Sequence, residues 1–229
     1  MSVKPPPDRL YGRQKGKKLR PRQEWLLAEF LPRNSWPQAP FGIVPREIWL
    51  EVGFGGGEHA FELATNNPDV GYIAAEVFET GICSLLSRIA PDGVENPEPL
   101  PNLRLFTDDA RPLLRGMADA SLSKLFLMFP DPWPKARHAK RRFVHPELVQ
   151  EAARVLRQGG EWRIASDDPT YQNWTDEVLG AQKYFTVTRT SVRPAGWPST
   201  RYEAKAIAAG RQPLYWSLSR RGDAILAGA

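Results

Sequence analysis

The sequence predicts an α/β protein, a doubly wound, mostly parallel seven-stranded sheet with helices on both faces. Three observations carry that expectation. Short apolar runs alternate regularly with stretches of helical spacing. Glycines cluster directly after the first strand, at Gly53, Gly55, Gly56 and Gly57. Five consecutive strand ends carry a carboxylate, at Glu51, Glu76, Asp109, Asp131 and Asp167. Ligands of parallel sheets bind outside those ends, so the acids fall where chemistry is expected.

The elements follow in order. Residues 1–20 are rich in Pro, Gly and cations and have too little apolar surface to order themselves, so they read as a flexible basic tail. Residues 21–229 read as a single domain, a size ample for one core. Trp25, Leu26, Leu27, Phe30 and Leu31 give residues 21–31 helical spacing, and a proline-broken loop leads to a strand over 48–52. The glycines make the turn into a helix over 58–66. A strand over 70–75 is followed by a helix over 78–89, a loop over 91–101 and a strand over 103–106. After a short helix, the apolar run 122–129 reads as a buried strand stopped by Pro130. A helix over 146–156, a strand over 161–165 and a helix over 170–181 come next, and strands over 185–190 and 214–219 close the chain.

Charge is concentrated, not spread. The chain holds 31 Lys and Arg against 26 Asp and Glu, net +5. Seven of the cations (Arg9, Arg13, Lys15, Lys17, Lys18, Arg20, Arg22) lie in one acid-free stretch, and five (Lys135, Arg137, Lys140, Arg141, Arg142) in another. Without those twelve, 19 cations face 26 acids, net −7. Two basic clusters on an acidic body are the footprint of a nucleic-acid partner. No apolar run approaches membrane-spanning length, and no leader-like apolar stretch follows the basic start, so no membrane partner and a cytoplasmic protein are expected. The lone Cys83 cannot form an internal disulfide and reads as core.

Two segments carry the chemistry. In Phe129-Pro130-Asp131-Pro132-Trp133-Pro134-Lys135, a carboxylate between two prolines is held in a stiff turn at a strand end, directly before Arg137, His138, Lys140, Arg141 and Arg142. That pattern suits chemistry on a polyanion, and a simple turn-capping aspartate is the competing reading. The glycine loop departs from the dinucleotide fingerprint, because Glu58 stands where a third glycine is required. An acid there also repels a pyrophosphate. A nucleoside without phosphates, carrying a cationic amino-acid arm, fits better. S-adenosylmethionine is such a molecule, with Glu51 toward the arm, Glu76 on the ribose and Asp109 toward the adenine amine. The alternative is a glycine turn with no ligand. No metal site is expected.

These residues resemble the bacterial tRNA (guanine-N(7)-)-methyltransferases over nearly the whole chain. The resemblance rests on Glu51-Val52-Gly53-Phe54-Gly55, Glu76, the Pro-Asp-Pro-Trp run with its basic continuation, and Thr200-Arg201-Tyr202-Glu203. It implies a Rossmann-like class I methyltransferase fold, and methyl transfer from S-adenosylmethionine to ring nitrogen 7 of a variable-loop guanosine in tRNA. It implies cofactor contacts at Glu51, Gly53, Gly55, Glu76, Asp109 and Asp131, with Asp131 catalytic. It implies substrate contacts at Lys135, Asp167, Thr200, Arg201, Tyr202 and Glu203, and RNA contact at Arg137, His138, Lys140, Arg141 and Arg142. Asp108 and Asp109 are adjacent where the family has one acid, and Asp109 is chosen because it precedes Ala110; Asp167 is chosen over Asp168. Monomer and homodimer both remain open.

Nitrogen 7 of guanine has an exposed lone pair and no proton, so the reaction needs no general base. That agrees with three histidines, His59, His138 and His145, that form no recognisable dyad with Ser or Cys. Glu203 is a candidate acceptor for the adjacent N–H donors of guanine's pairing edge, with Tyr202 as a stacking surface. The competing readings are a core Tyr202 and a Glu203 paired with Lys205 or Arg201. For Asp167 the competing reading is a helix N-cap before Pro169. Trp133 and Trp197 are candidate stacking rings. A ribosomal-RNA methyltransferase, a non-enzymatic RNA-binding module and a nicotinamide oxidoreductase are the rival functions.

Overall fold

A computed structural model of the chain describes residues 14–16 and 18–222. The expected tail cations Arg9, Arg13 and Lys17 lie outside them. The described residues divide into two compact units, one up to residue 110 and one from residue 111.

The first unit opens on α1 (Pro21–Trp25), which continues as a π-helical turn over Leu26–Phe30 and a 3₁₀ turn over Leu31–Asn34. Pro21 occupies the first helical position, where its missing N–H has no partner to lose. Pro32 cannot continue regular α geometry, which is why the helix predicted over 21–31 ends in a tighter turn. Then come β1 (Glu47–Val52), α2 (Glu58–Asn66), β2 (Val70–Ala75), α3 (Glu79–Ile89) and β3 (Leu103–Phe106). β2 pairs in parallel with β1 on one side and β3 on the other. All six residues of β2 are buried, as a strand covered on both faces requires. Within this unit Asn102 is 3% exposed, and its amide donates to the carbonyls of Ala64, Asn67 and Val70. It ties the end of α2 and the entry to β2 against the start of β3.

The second unit holds α4 (Ala110–Gly116) but for its first residue, then β4 (Leu122–Met128), a 3₁₀ turn over Ala136–Arg141, α5 (Pro146–Val155), β5 (Leu156–Ser166), α6 (Pro169–Gly180), β6 (Phe185–Thr190), α7 (Arg201–Ala208) and β7 (Leu214–Arg220). β4 and β5 are parallel, whereas β7 runs antiparallel to both β5 and β6. The seven strands form one sheet in the order β3-β2-β1-β4-β5-β7-β6. The expected mostly parallel α/β sheet is therefore present.

Two differences from the sequence reading have physical causes. β5 begins at Leu156, five residues before its expected start, because Leu156 already pairs with Leu122. The register then slips, and Lys124 faces Glu161. Gly159 absorbs the slip with a left-handed φ of 72°, and a side chain at Gly160 would crowd the Arg157 carbonyl at 2.8 Å. The second difference is α7, unforeseen as a helix. Thr200 and Glu203 form a capping box at its start: the Thr200 hydroxyl accepts from the Glu203 N–H at 3.1 Å, and the Glu203 carboxylate accepts from the Thr200 N–H at 3.3 Å.

Asn102→Ala is expected to lower stability by about 2 kcal/mol, since buried carbonyls lose their donor. Urea unfolding should show a lower midpoint with an unchanged slope. An unchanged midpoint would mean that the three carbonyls are satisfied without the side chain.

Candidate functional site

In the first unit the glycine loop is fixed from three sides. Gly53, Gly55 and Gly57 have φ of 72°, 59° and 76°, a region that L side chains rarely enter, so the loop needs glycine at each. The Gly53 N–H donates to the Ala75 carbonyl at 2.8 Å, and the Gly55 N–H donates to Glu76 at 2.9 Å. The other oxygen of Glu76 accepts from the N–H groups of Val77 and Phe78 at 2.8 and 3.0 Å. Three backbone donors thus orient one carboxylate just past the end of β2. From α3, the Ser84 hydroxyl donates to the Gly56 carbonyl at 2.9 Å. Arg88 pairs with Glu58 at 2.9 Å, so the acid that breaks the dinucleotide fingerprint is held in an ion pair at the start of α2.

Gly81 was missed by sequence reasoning. A Cβ at this position would overlap the Gly55 carbonyl, so glycine here lets α3 press against the loop. A glycine inside a helical stretch costs about 1 kcal/mol relative to alanine, and that cost was the available signal for a packing role. At Gly53, by contrast, an added Cβ would meet open space. A backbone exposed to open space beside an oriented carboxylate fits a nucleoside with hydroxyls to donate, and the residues present fit S-adenosylmethionine in that sense.

Glu51 is only 1% exposed. One oxygen accepts from the Tyr72 hydroxyl at 2.7 Å and lies 3.1 Å from His59 Nδ1. Both partners are buried, and Tyr72 lies 21 positions away in sequence. A tyrosine in an otherwise apolar buried strand needs an acceptor, which was the signal for this pair. Asp109 is half-buried, and its N–H donates to the exposed Asp108 carboxylate at 2.7 Å.

In the second unit, parallel pairing brings the ends of β4 and β5 side by side, with Met128 opposite Ala165. Asp131 and Asp167 follow those ends. The Phe129 N–H still donates to the Ala165 carbonyl at 2.8 Å, and then the chain turns sharply. Phe129 and Trp133 have left-handed φ of 54° and 44°. Bulky residues in that region cost roughly 1–3 kcal/mol each, so the Pro-Asp-Pro turn between them is strained. Asp131 is exposed and accepts no hydrogen bond from the described residues.

The acids at 167 and 168 are separated cleanly. Asp168 caps α6, accepting from the Tyr171 N–H at 3.0 Å, whereas Asp167 pairs with Arg211 at 2.5 Å. The cap is therefore the neighbour of the residue chosen from sequence. Tyr215, opposite Ala165 on β7, donates to Glu203 at 2.6 Å, and Arg193 lies 3.2 Å from the same oxygen. Burial, then the bond to Glu203, pushes the Tyr215 hydroxyl pKa well up. Glu203 is thus 5% exposed with both oxygens engaged, and its partner is Arg193, not the Lys205 or Arg201 weighed from sequence. Tyr202 stays exposed, with Arg201 and Lys205 against its ring at 5.1 and 5.8 Å. Trp197 is buried edge-on to Tyr215 and serves as packing.

The basic run splits by burial. Lys135, Arg137 and Lys140 are exposed, and His138 and Arg141 are half-buried against Trp133. The His138 pKa lies below the usual imidazole value through desolvation, then through Arg141, Arg137 and Lys135. Arg142, expected with the RNA-facing cations, departs from that expectation. It is 6% exposed and turned inward, donating to the carbonyls of Pro132 and Trp133. Among the described residues no cluster of His, Cys, Asp and Glu is arranged to hold a metal ion, and no helix is long and apolar enough to cross a membrane.

Two outcomes follow. Gly81→Ala should weaken S-adenosylhomocysteine binding by about tenfold in calorimetry, whereas Gly180→Ala, whose Cβ meets nothing, should leave affinity unchanged. Equal affinities would show that the loop does not need its contact with α3. His145, at the N-cap position of α5 beside Trp174, has a pKa lowered chiefly by burial. Its neutral form is favoured in the fold, so its contribution is complete above the unfolded pKa of about 6.5 and is lost as pH falls below it. His145→Gln should lose less stability than the parent chain between about pH 7.5 and 5.5 in parallel thermal melts. Identical slopes would assign the acid sensitivity elsewhere.

Comparison with known proteins places these features. A family model described as "Putative methyltransferase" matches residues 45–215. A tRNA (guanine-N(7)-)-methyltransferase from Granulibacter bethesdensis is 60% identical, over 96% of this chain and 99% of its own length. Enzymes of the same name from Paramagnetospirillum magneticum and Rhodospirillum rubrum are 45% and 44% identical, covering 93% and 96% of this chain and 93% and 91% of their own. Among solved structures, the 16S rRNA methyltransferase KamB superposes with a TM-score of 0.56 at 16% identity, over 78% of this chain and 89% of its own. An rRNA methylase from Streptococcus thermophilus gives 0.51 at 16% identity, over 79% and 90%. These structural likenesses establish the fold alone. Identity over nearly full length, together with the match at residues 45–215, establishes more: this chain belongs to the tRNA (guanine-N(7)-)-methyltransferase family.

Proposed function

We propose that this chain transfers a methyl group from S-adenosylmethionine to ring nitrogen 7 of a variable-loop guanosine in tRNA, in the cytoplasm. The observation that carries the reading is Asp131. It is a strand-end carboxylate in a strained, proline-fixed turn, it accepts nothing from the described residues, and it lies beside a turn of exposed cations.

The methyl donor supplies an electrophilic carbon on a sulfonium when bound. Glu76, oriented by three backbone donors, takes the ribose hydroxyls, and Gly53 and Gly55 allow close backbone approach. Glu51, fixed by Tyr72 and His59, sets the field near the amino-acid arm, and Asp109 faces the adenine amine. On the guanosine side, Lys135, Asp167 and Thr200 to Glu203 position the base. Glu203 acts by holding the first turn of α7, which leaves Arg201 and Tyr202 at the surface. Arg137, His138, Lys140 and Arg141 engage phosphates.

No residue has to remove a proton, because nitrogen 7 has none. The histidines agree: His59 is bound to Glu51, His145 packs on Trp174, and His138 sits among cations. Asp131 works electrostatically as positive charge develops on the guanine ring. One unit charge pair at ~4 Å and an effective dielectric of ~20 is worth roughly 4 kcal/mol, an upper bound on the effect. Orientation of the two reactants adds to it.

The test is direct. Purified protein, methyl-labelled S-adenosylmethionine and an unmodified tRNA transcript should yield labelled 7-methylguanosine after digestion to nucleosides; label in another nucleoside overturns the reading. Asp131→Ala should cut saturated turnover by about 10²-fold while the circular dichroism spectrum and melting curve persist. A variant within a few-fold of the parent would remove Asp131 from the reaction centre.

A further inference from the structure

We propose that Arg142 is a positioning residue for Asp131, which it supports from inside the protein, and that it does not contact RNA. The inference rests on the assignment of Asp131 just made. In the sequence Arg142 is the last of five closely spaced cations, indistinguishable by charge from its neighbours. Its surroundings set it apart. Its guanidinium is buried, with Nε donating to the Pro132 carbonyl at 3.2 Å and a terminal nitrogen donating to the Trp133 carbonyl at 3.0 Å. The opposite partner is aromatic: the guanidinium carbon lies 4.9 Å from the Trp174 ring centroid.

The turn needs such a partner. Pro130 and Pro132 have no N–H, so the segment around Asp131 lacks two of the donors from which a turn normally builds its own hydrogen bonds. Phe129 and Trp133 bracket it in left-handed backbone, a conformation that persists only where the surroundings impose it. Arg142 gives two successive carbonyls their donors from one rigid planar fork. Lysine, with a single flexible ammonium, cannot reproduce that geometry. With the carbonyls of Pro132 and Trp133 drawn inward, the Asp131 side chain is left at the surface.

The support continues into α6. The Trp174 indole N–H donates to the Val144 carbonyl at 2.5 Å, and the Val144 N–H donates to the Tyr171 hydroxyl at 3.2 Å. The Tyr171 N–H in turn donates to the Asp168 cap at 3.0 Å, next to Asp167. The turn that carries Asp131 and the helix start beside Asp167 are thereby braced by one connected series of part-buried and buried contacts, of which the link from Arg142 to Trp174 is a ring contact.

Arg142→Lys separates positioning from RNA contact. Single-turnover methylation at saturating tRNA and S-adenosylmethionine should fall by at least about tenfold. Affinity for tRNA, and its slope against log salt, should match the parent chain, whereas loss of a phosphate contact would flatten the slope by roughly 0.7–0.9. Because Arg142 acts through Asp131, the double variant Asp131→Asn/Arg142→Lys should be no slower than Asp131→Asn alone. A rate within about threefold of the parent, a flattened salt slope at preserved rate, or multiplied losses in the double variant would each overturn the proposal. If Arg142→Lys proves unfolded, Trp174→Leu removes the ring beneath the guanidinium and leaves the turn's own sequence intact; it should show the same loss of saturated rate at unchanged tRNA affinity, and a parental rate would overturn the proposal. An active Asp131→Ala would sink the underlying assignment, whereas an inactive Asp131→Ala beside a fully active Arg142→Lys would sink only this inference.

Discussion

A carboxylate held near a sheet must be supplied with donors, and the donors decide what the carboxylate remains able to do. Glu76 has three backbone N–H groups and becomes a fixed acceptor at the mouth of the glycine loop. Glu51 has a tyrosine and a histidine and is sealed in. Asp168 is occupied by a helix cap and Glu203 by a capping box, a tyrosine and an arginine. Asp131 is the exception, since the prolines around it withhold the donors that a turn would ordinarily offer. Its charge is left to act outward.

The fold was legible because strand periodicity and glycine placement are local signals. All seven strands were anticipated, and only β5 started far from its expected position, where the pairing of Leu156 with Leu122 outweighed the local pattern. The missed helix α7 is instructive, since its signal was in plain view. Thr200-x-x-Glu203 is a capping box, but the same four residues also carry the family resemblance, and the functional reading displaced the structural one. The two are compatible, because a capped turn fixes Tyr202 at one place on the surface.

Much of the site was not legible, because its partners are distant in sequence. Tyr72 is 21 positions from Glu51, and Arg211 is 44 from Asp167. No window of helical or strand length reaches across such gaps. Charge counting could not place Arg142, for a different reason. A run of cations predicts a positive surface only if every cation points outward, and burial of Arg142 breaks that assumption inside a cluster whose Lys135, Arg137 and Lys140 are exposed. The cap was readable in retrospect, since Pro169 at the first helical position makes the residue directly before it, Asp168, the N-cap, but the pairing of Asp167 with the distant Arg211 was not.

Magnitudes explain why the turn after β4 requires so much support. Two bulky residues in left-handed backbone together cost roughly 2–6 kcal/mol, more than a single neutral hydrogen bond returns at about 1 kcal/mol. The prolines recover part of this by restricting the unfolded chain, on the order of 0.4–1 kcal/mol each where their geometry fits. The remainder has to come from outside the turn: the Phe129 N–H bond to Ala165, the two guanidinium bonds of Arg142, and the contact of Arg142 with Trp174. Hydrogen bonds to a charged donor are worth about 1.5–3 kcal/mol, which brings the balance within reach. A flexible loop would have avoided the strain, but would have let Asp131 wander by more than orientation-dependent chemistry tolerates. Under the role proposed for Asp131, the cost of the strained backbone is intelligible as the cost of fixing one carboxylate that removes no proton and acts only by where it stands.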